Sequence, residues 1–196
     1  MHLNLPNRLS ILRLVLSCGF VAVLSCQTVN WSGAVAFVIF VAAGLTDFLD
    51  GHLARKYHLI TDLGKLLDPI ADKIMVSAAF IELVAYNDLM PVVTPAWLVI
   101  CVLAREFFIT GLRSLAAAKG VILAAARSGK HKTISQIVTI LVGLAVLSCA
   151  QLQVNFSGLA AVFALYQFLL WLTLFITVWS GAAYVVKNYQ LVLATK

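Results

Sequence analysis

Charge is scarce in this sequence, and negative charge is the scarcer kind: eight Asp and Glu against fourteen Lys and Arg, together 11% of 196 residues. Soluble domains carry about a quarter of their residues as charged. So small a share, beside 62% hydrophobic residues and a mean hydropathy of +1.00, excludes an ordinary water-facing surface. Repeats, low-complexity tracts and long polar linkers are missing too, which leaves one compact unit over residues 1–196. The four cysteines, Cys18, Cys26, Cys101 and Cys149, lack metal-ligand spacing and histidine neighbours, and read as small packing residues. Whether Cys26 and Cys149 pair is left open.

What the chain has is apolar length. Six stretches can be drawn, Leu9–Cys26, Trp31–Leu49, Leu66–Tyr86, Val92–Ala117, Ile134–Cys149 and Leu159–Val186. They predict an all-α polytopic membrane protein of six transmembrane helices, since backbone groups in a bilayer must find partners within their own segment. Lys and Arg are absent from the connections Gln27–Asn30, Asn87–Pro91 and Ala150–Ser157, and all fourteen fall on the other side. By the positive-inside rule both termini then face the cytoplasm. The net charge of +6 reports this topology and an anionic substrate, and not nucleic acid.

Against that background, five of the eight acidic residues crowd into residues 47–72, inside or beside apolar spans. On helical backbone Asp47 and Asp50 share a face, Arg55 returns to it, and Asp68 and Asp72 share a face of the next helix. Four carboxylates brought together raise each other's pKa or recruit cations, and hard oxygen donors suit Mg²⁺ or Mn²⁺. The bland alternative is structural pairing with Arg55, Lys65 and Lys73; ionisable residues within membranes are functional by default.

Other candidates follow along the chain. Pro6 and Asn7 precede a helix expected to begin near Arg8, on which Arg13 either meets a substrate phosphate or snorkels to lipid headgroups. Pro69 is expected in the first turn of the third span. In the fourth span Arg105 and Arg113 stand eight apart on one face and suit a phosphate, or else pair with the aspartate cluster; Glu106, one residue on, could pair with a neighbouring helix and is expected to point away from Arg105. Lys130 and Lys132 either complete that phosphate site or mark the inside face. His52, His58 and Asp88 read as solvated, and Tyr166, Trp171, Trp179 and Tyr184 as packing residues, interfacial anchors or a subunit contact.

Asp47, Asp50, Gly51, Ala54, Arg55, Gly64, Asp68 and Asp72 stand in the order D-x2-D-G-x2-A-R-x8-G-x3-D-x3-D. This resembles the signature of the CDP-alcohol phosphatidyltransferase family, with every position filled. The Pro-Asn opening, the Arg-Glu of the fourth span, Arg113 and the Gly-Lys-x-Lys-Thr before the fifth extend the likeness over about residues 5–140. The resemblance implies transfer of a phosphatidyl group from CDP-diacylglycerol, with release of CMP, at the cytoplasmic face of a bacterial-type inner membrane. It implies two Mg²⁺ or Mn²⁺ ions held by Asp47, Asp50, Asp68 and Asp72, and Asp72 as general base. The cytidine diphosphate would meet Asp47, Gly51, Arg55, Gly64 and Asp68. The acceptor would be glycerol 3-phosphate, its phosphate held by Arg105, Arg113, Lys130 and Lys132. Homodimers are usual in the family, and membrane lipids line it. Another acceptor, inositol phosphate or serine, is the alternative within the class; a divalent-cation transporter is the one outside it.

Overall fold

The computed structural model describes the backbone over residues 5–26, 29–57, 62–118, 128–154 and 157–188, and side chains over 11–26, 29–46, 70–71, 73–117, 131–154 and 157–188. Among the described residues there are six helices and no strands: α1 (Leu5–Ser25), α2 (Ser32–Tyr57), α3 (Asp62–Ala85), α4 (Ala96–Ala118), α5 (Ser128–Gln151) and α6 (Leu159–Lys187). Two of them, over His131–Gln151 and Leu159–Lys187, are long and apolar enough to cross a membrane.

The helix ends depart from the apolar stretches in a consistent way. α2 runs through the acidic segment to Tyr57, α3 starts at Asp62 and α5 at Ser128, each extending into polar sequence at the basic end. Bilayer thickness limits the apolar run, but hydrogen bonding along the backbone does not stop there. Pro69 therefore lies beyond the first turn of α3, contrary to expectation. Pro6 falls inside the first turn of α1, where its missing N–H costs nothing. The fourth helix begins later than its apolar stretch because Val92–Thr94 form a loop: Asn87 receives the Thr94 N–H at 2.7 Å and donates to the Thr94 carbonyl at 2.9 Å. Pro95 then supplies the carbonyl for the first helical bonds, from Leu98 and Val99.

α1 packs against α2 and α3, α5 against α2, α3 and α6, and α4 against α6 and α3. The main core joins Phe20, Phe40, Phe80, Leu83, Leu144 and Tyr166. At the end opposite the basic connections a chain of hydrogen bonds ties four helices. The Tyr86 hydroxyl donates to the Leu24 carbonyl at 2.6 Å and meets Ser32 Oγ, which receives Gln151 Nε2 at 2.8 Å. Gln151 Oε1 accepts the Gly33 N–H at 2.7 Å, so the last residue of α5 caps the first turn of α2.

α6 is inverted relative to a helix of a soluble protein. Its buried face carries Thr173, Thr177, Ser180 and Gly181, whereas Phe168, Trp171, Phe175 and Trp179 face outward. Small and hydroxylic residues inside with large apolar ones outside is the arrangement a lipid solvent favours. The aromatic residues of α6 divide accordingly: Tyr166 and Tyr184 are buried, Trp171 and Trp179 exposed. All four cysteines are free thiols, and Cys18, Cys26 and Cys101 are exposed rather than packed in the core. Asp88 is exposed, as expected.

Candidate functional site

The acidic segment lies on helical backbone. Asp47 and Asp50 fall within α2, and Asp68 and Asp72 within α3, so their separations of three and four residues are realised as helix turns. Gly51 and Arg55 belong to α2, Gly64 to α3 and Lys130 to α5. The side chains of these residues, and of His52, lie outside the described residues, as does His58 entirely. Among the described residues no group of three or more His, Cys, Asp or Glu could hold a metal. The donor set of the segment itself, four carboxylates on two helices, is the hard-oxygen chemistry that Mg²⁺ and Mn²⁺ take.

One turn before Asp47, α2 borders a cavity of about 270 Å³ between α1, α2, α3 and α5. Its walls are apolar, with Phe40, Gly44, Met75, Val76 and Ile137, except for Arg13. Arg13 is only 3% exposed, so snorkelling to headgroups is ruled out for this side chain. A guanidinium stays charged at any physiological pH and is tolerated in such a place beside negative charge. Arg13 thus lines an apolar chamber bordered by the turn of α2 that precedes Asp47.

The second cluster was the less legible one. Arg105 is held between α4 and α6. It donates from one terminal nitrogen to Glu106 Oε1 at 3.1 Å and from the other to Ser180 Oγ at 3.0 Å. Gly181 lets it lie close, since a Cβ there would stand 2.9 Å from Arg105 Cγ. Glu106 does pair with a neighbouring helix, but the expectation that it points away from Arg105 is overturned. Neighbouring residues diverge by about 100° around a helix axis, but both side chains are long and curl towards each other. The second oxygen of Glu106 receives Lys132 Nζ from α5, and Gln136 Nε2 approaches Oε1 at 3.4 Å. Lys132 and Gln136, four apart on α5, form one face towards that carboxylate.

Glu106 therefore joins Arg105 and Lys132, two of the four basic residues predicted for the phosphate. Arg113 is exposed, off the buried stripe of Arg105, Ile109, Leu112 and Ala116, and takes no part in the cluster. The signal for Glu106 was present in sequence: an acid inside an apolar run, with Lys132 and Gln136 at helical spacing in the following helix.

A search against protein-family models matches residues 3–179 to CDP-alcohol phosphatidyltransferase. The chain belongs to that family. Among curated relatives, a CDP-diacylglycerol–glycerol-3-phosphate 3-phosphatidyltransferase of Bacillus subtilis is 36% identical over 95% of this chain and 96% of its own length. One of the same name from Rickettsia felis is 34% identical over 92% of this chain and 93% of its own. A probable phosphatidylglycerophosphate synthase of Mycobacterium tuberculosis is 41% identical over 70% of this chain and 64% of its own. In this family member the eight signature positions span the end of α2 and the start of α3. The Arg105–Glu106–Lys132 cluster lies on α4 and α5.

Proposed function

We propose that the protein transfers the phosphatidyl group of CDP-diacylglycerol to sn-glycerol 3-phosphate, giving phosphatidylglycerophosphate and CMP. The observation that carries this reading is the near full-length similarity to relatives named for that reaction. The cationic cluster at Arg105 and Lys132 supplies the physical reason, because an acceptor bearing a phosphate needs positive charge that a neutral or zwitterionic alcohol does not.

In the reaction the acceptor hydroxyl oxygen forms a bond to the phosphorus carrying the diacylglycerol, and the anhydride bond to the cytidine monophosphate breaks. Asp72 takes the hydroxyl proton. CMP departs with the bonding electrons. Asp47, Gly51, Arg55, Gly64 and Asp68 hold the cytidine diphosphate, the two glycines by admitting it close to the backbone. Asp47, Asp50, Asp68 and Asp72 would hold two divalent ions, whose chemistry is to neutralise the phosphates and stabilise the leaving group. Arg105 and Lys132 bind the acceptor's phosphate, with Lys130, two residues before Lys132 on α5, and Arg113, on the exposed face of α4, adding positive charge. Arg13 and its chamber receive the lipid donor near its head, with the acyl chains lying between helices.

The same reading places six helices across a bacterial-type inner membrane, both termini and the site at the cytoplasmic face, in a homodimer of single-domain subunits. The water-soluble nucleotide and acceptor then reach the site without leaving the aqueous side. A direct test is to supply glycerol 3-phosphate labelled in its phosphorus. Label should appear in organic-extractable lipid only when CDP-diacylglycerol is present; label that stays in water would contradict the reading.

A further inference from the structure

The cluster on α4 and α5 has one acid among its cations, and that acid is not needed to bind an anion. Glu106 is buried, its side chain 13% exposed, beside Arg105 at 13% and Lys132 at 11%. It receives three donors: Arg105 and Gln136 on Oε1, Lys132 on Oε2. A carboxylate placed between two cations that a phosphate is meant to occupy either competes with the phosphate or arranges the cations for it. The surroundings decide between these.

Glu106 and Lys132 line a small cavity together with Lys73, Ser77, Thr133 and Gln136. Its volume is about 20 Å³, room for roughly one water and not for a phosphate. The face of the carboxylate that lines this crevice has no room for a competing phosphate. Lys73 is the residue after Asp72, so this crevice adjoins the turn of α3 that carries the proposed base. Arg105 is held from both sides, by Glu106 and by Ser180 on α6. Lys132 is held across from α5 to α4 by Glu106. Lysine is a flexible point charge, and restraining it before binding removes ordering cost from the binding step.

We propose that Glu106 is a positioning residue for the acceptor: it holds Arg105 and Lys132 in the geometry that receives the acceptor's phosphate beside Asp72. This rests on the reading of the protein as a transferase to glycerol 3-phosphate. Glu106 touches neither substrate, and its effect passes through the two cations. The carboxylate also returns one negative charge to a pair of positive ones, which leaves the anion exchangeable between turnovers.

The test is steady-state CMP release by the full-length protein in lipid nanodiscs, comparing wild type with Glu106→Gln and Glu106→Asp, together with their thermal midpoints. Glu106→Gln should raise KM for glycerol 3-phosphate about tenfold, the scale of one lost charge-assisted contact. KM for CDP-diacylglycerol should stay within twofold. Glu106→Asp retains the charge and should restore much of the acceptor KM. It also carries the test if the glutamine variant does not fold. A fall in the acceptor KM would show a competitor and overturn the proposal. Both KM values unchanged, or both moving together with a lowered thermal midpoint, would show a purely structural tie and overturn it as well. If wild type releases CMP with another acceptor only, the underlying transferase reading fails; if wild type uses glycerol 3-phosphate and the split is absent, this inference alone fails.

Discussion

At the scale of single residues, glycine gives the sharpest contrast. Gly143 on α5 has no room for a methyl group: a Cβ would meet the Tyr166 ring at 2.8 Å and Leu83 at 2.9 Å. Tyr166 cannot give way easily, because its hydroxyl is engaged with Thr94 Oγ1 at 2.7 Å and it is fully buried. Gly143→Ala should therefore lower stability by about 1–3 kcal/mol, the usual cost of overpacking. Gly111 on α4 is exposed with nothing near its would-be Cβ. Gly111→Ala should raise stability by about 1 kcal/mol, the helix-propensity difference. Thermal unfolding in one detergent measures both, and a shift of the same sign in the two would contradict the packing described here. The sequence showed where the chemistry lies because carboxylates and guanidinium groups in apolar runs are few and costly. It did not show which of them meet. Glu106 was misread because a spacing argument follows backbone directions and ignores the reach of a long side chain. Arg13 was left between two fates that only its burial separates.

At the scale of elements, a clasp of side-chain hydrogen bonds joins the helices at the end where Leu24, Ser32 and Gln151 meet. Gln151 bonds both Ser32 and the Gly33 N–H, so Gln151→Leu strips the buried Gly33 N–H of its partner and leaves Ser32 Oγ with Tyr86 alone. A loss of about 1–3 kcal/mol for the group left unsatisfied is the expected scale. The variant should unfold at lower temperature while the KM values of the surviving protein stay unchanged, since the clasp is remote from the acidic segment. A change in KM without a change in unfolding would overturn that assignment. Just beyond it, Gln153 sits at φ 51°, and the Val154 N–H reaches back to the Cys149 carbonyl at 3.0 Å. This is a left-handed helix terminus of the kind that favours glycine. Gln153→Gly should stabilise α5 by up to about 1 kcal/mol. The number and type of elements were legible because six long apolar runs separated by short polar connections leave helix as the one element that fits their length. Their ends were not, since α2, α3 and α5 run on into polar sequence that hydropathy cannot assign to helix or loop.

At the scale of the whole molecule, the separation of charge is the organising feature. In the sequence, Lys and Arg fall on the same set of connections as the acidic segment, and the alternate connections Gln27–Asn30, Asn87–Pro91 and Ala150–Ser157 carry none. In a chain otherwise free of cysteine, Cys26 should react with a membrane-impermeant maleimide in intact spheroplasts, while Ser128→Cys should react only after permeabilisation. The reverse pattern would invert the proposed topology. The family and the motif could be read from sequence, because a charged signature inside apolar spans has few other uses. The placement of the apolar chamber could not, since Arg13, Gly44, Met75 and Ile137 come from four helices and converge only on folding.

The central claim is the reaction itself, and CMP release tests it most directly. Purified protein would be given CDP-diacylglycerol, Mg²⁺ and, in turn, glycerol 3-phosphate, serine and inositol phosphate, with Asp72→Asn in parallel. The account predicts release with glycerol 3-phosphate above the other acceptors, and a fall of about 10²–10⁴-fold in Asp72→Asn, the range for removal of a general base. Release with a different acceptor, or full release from Asp72→Asn, would contradict it.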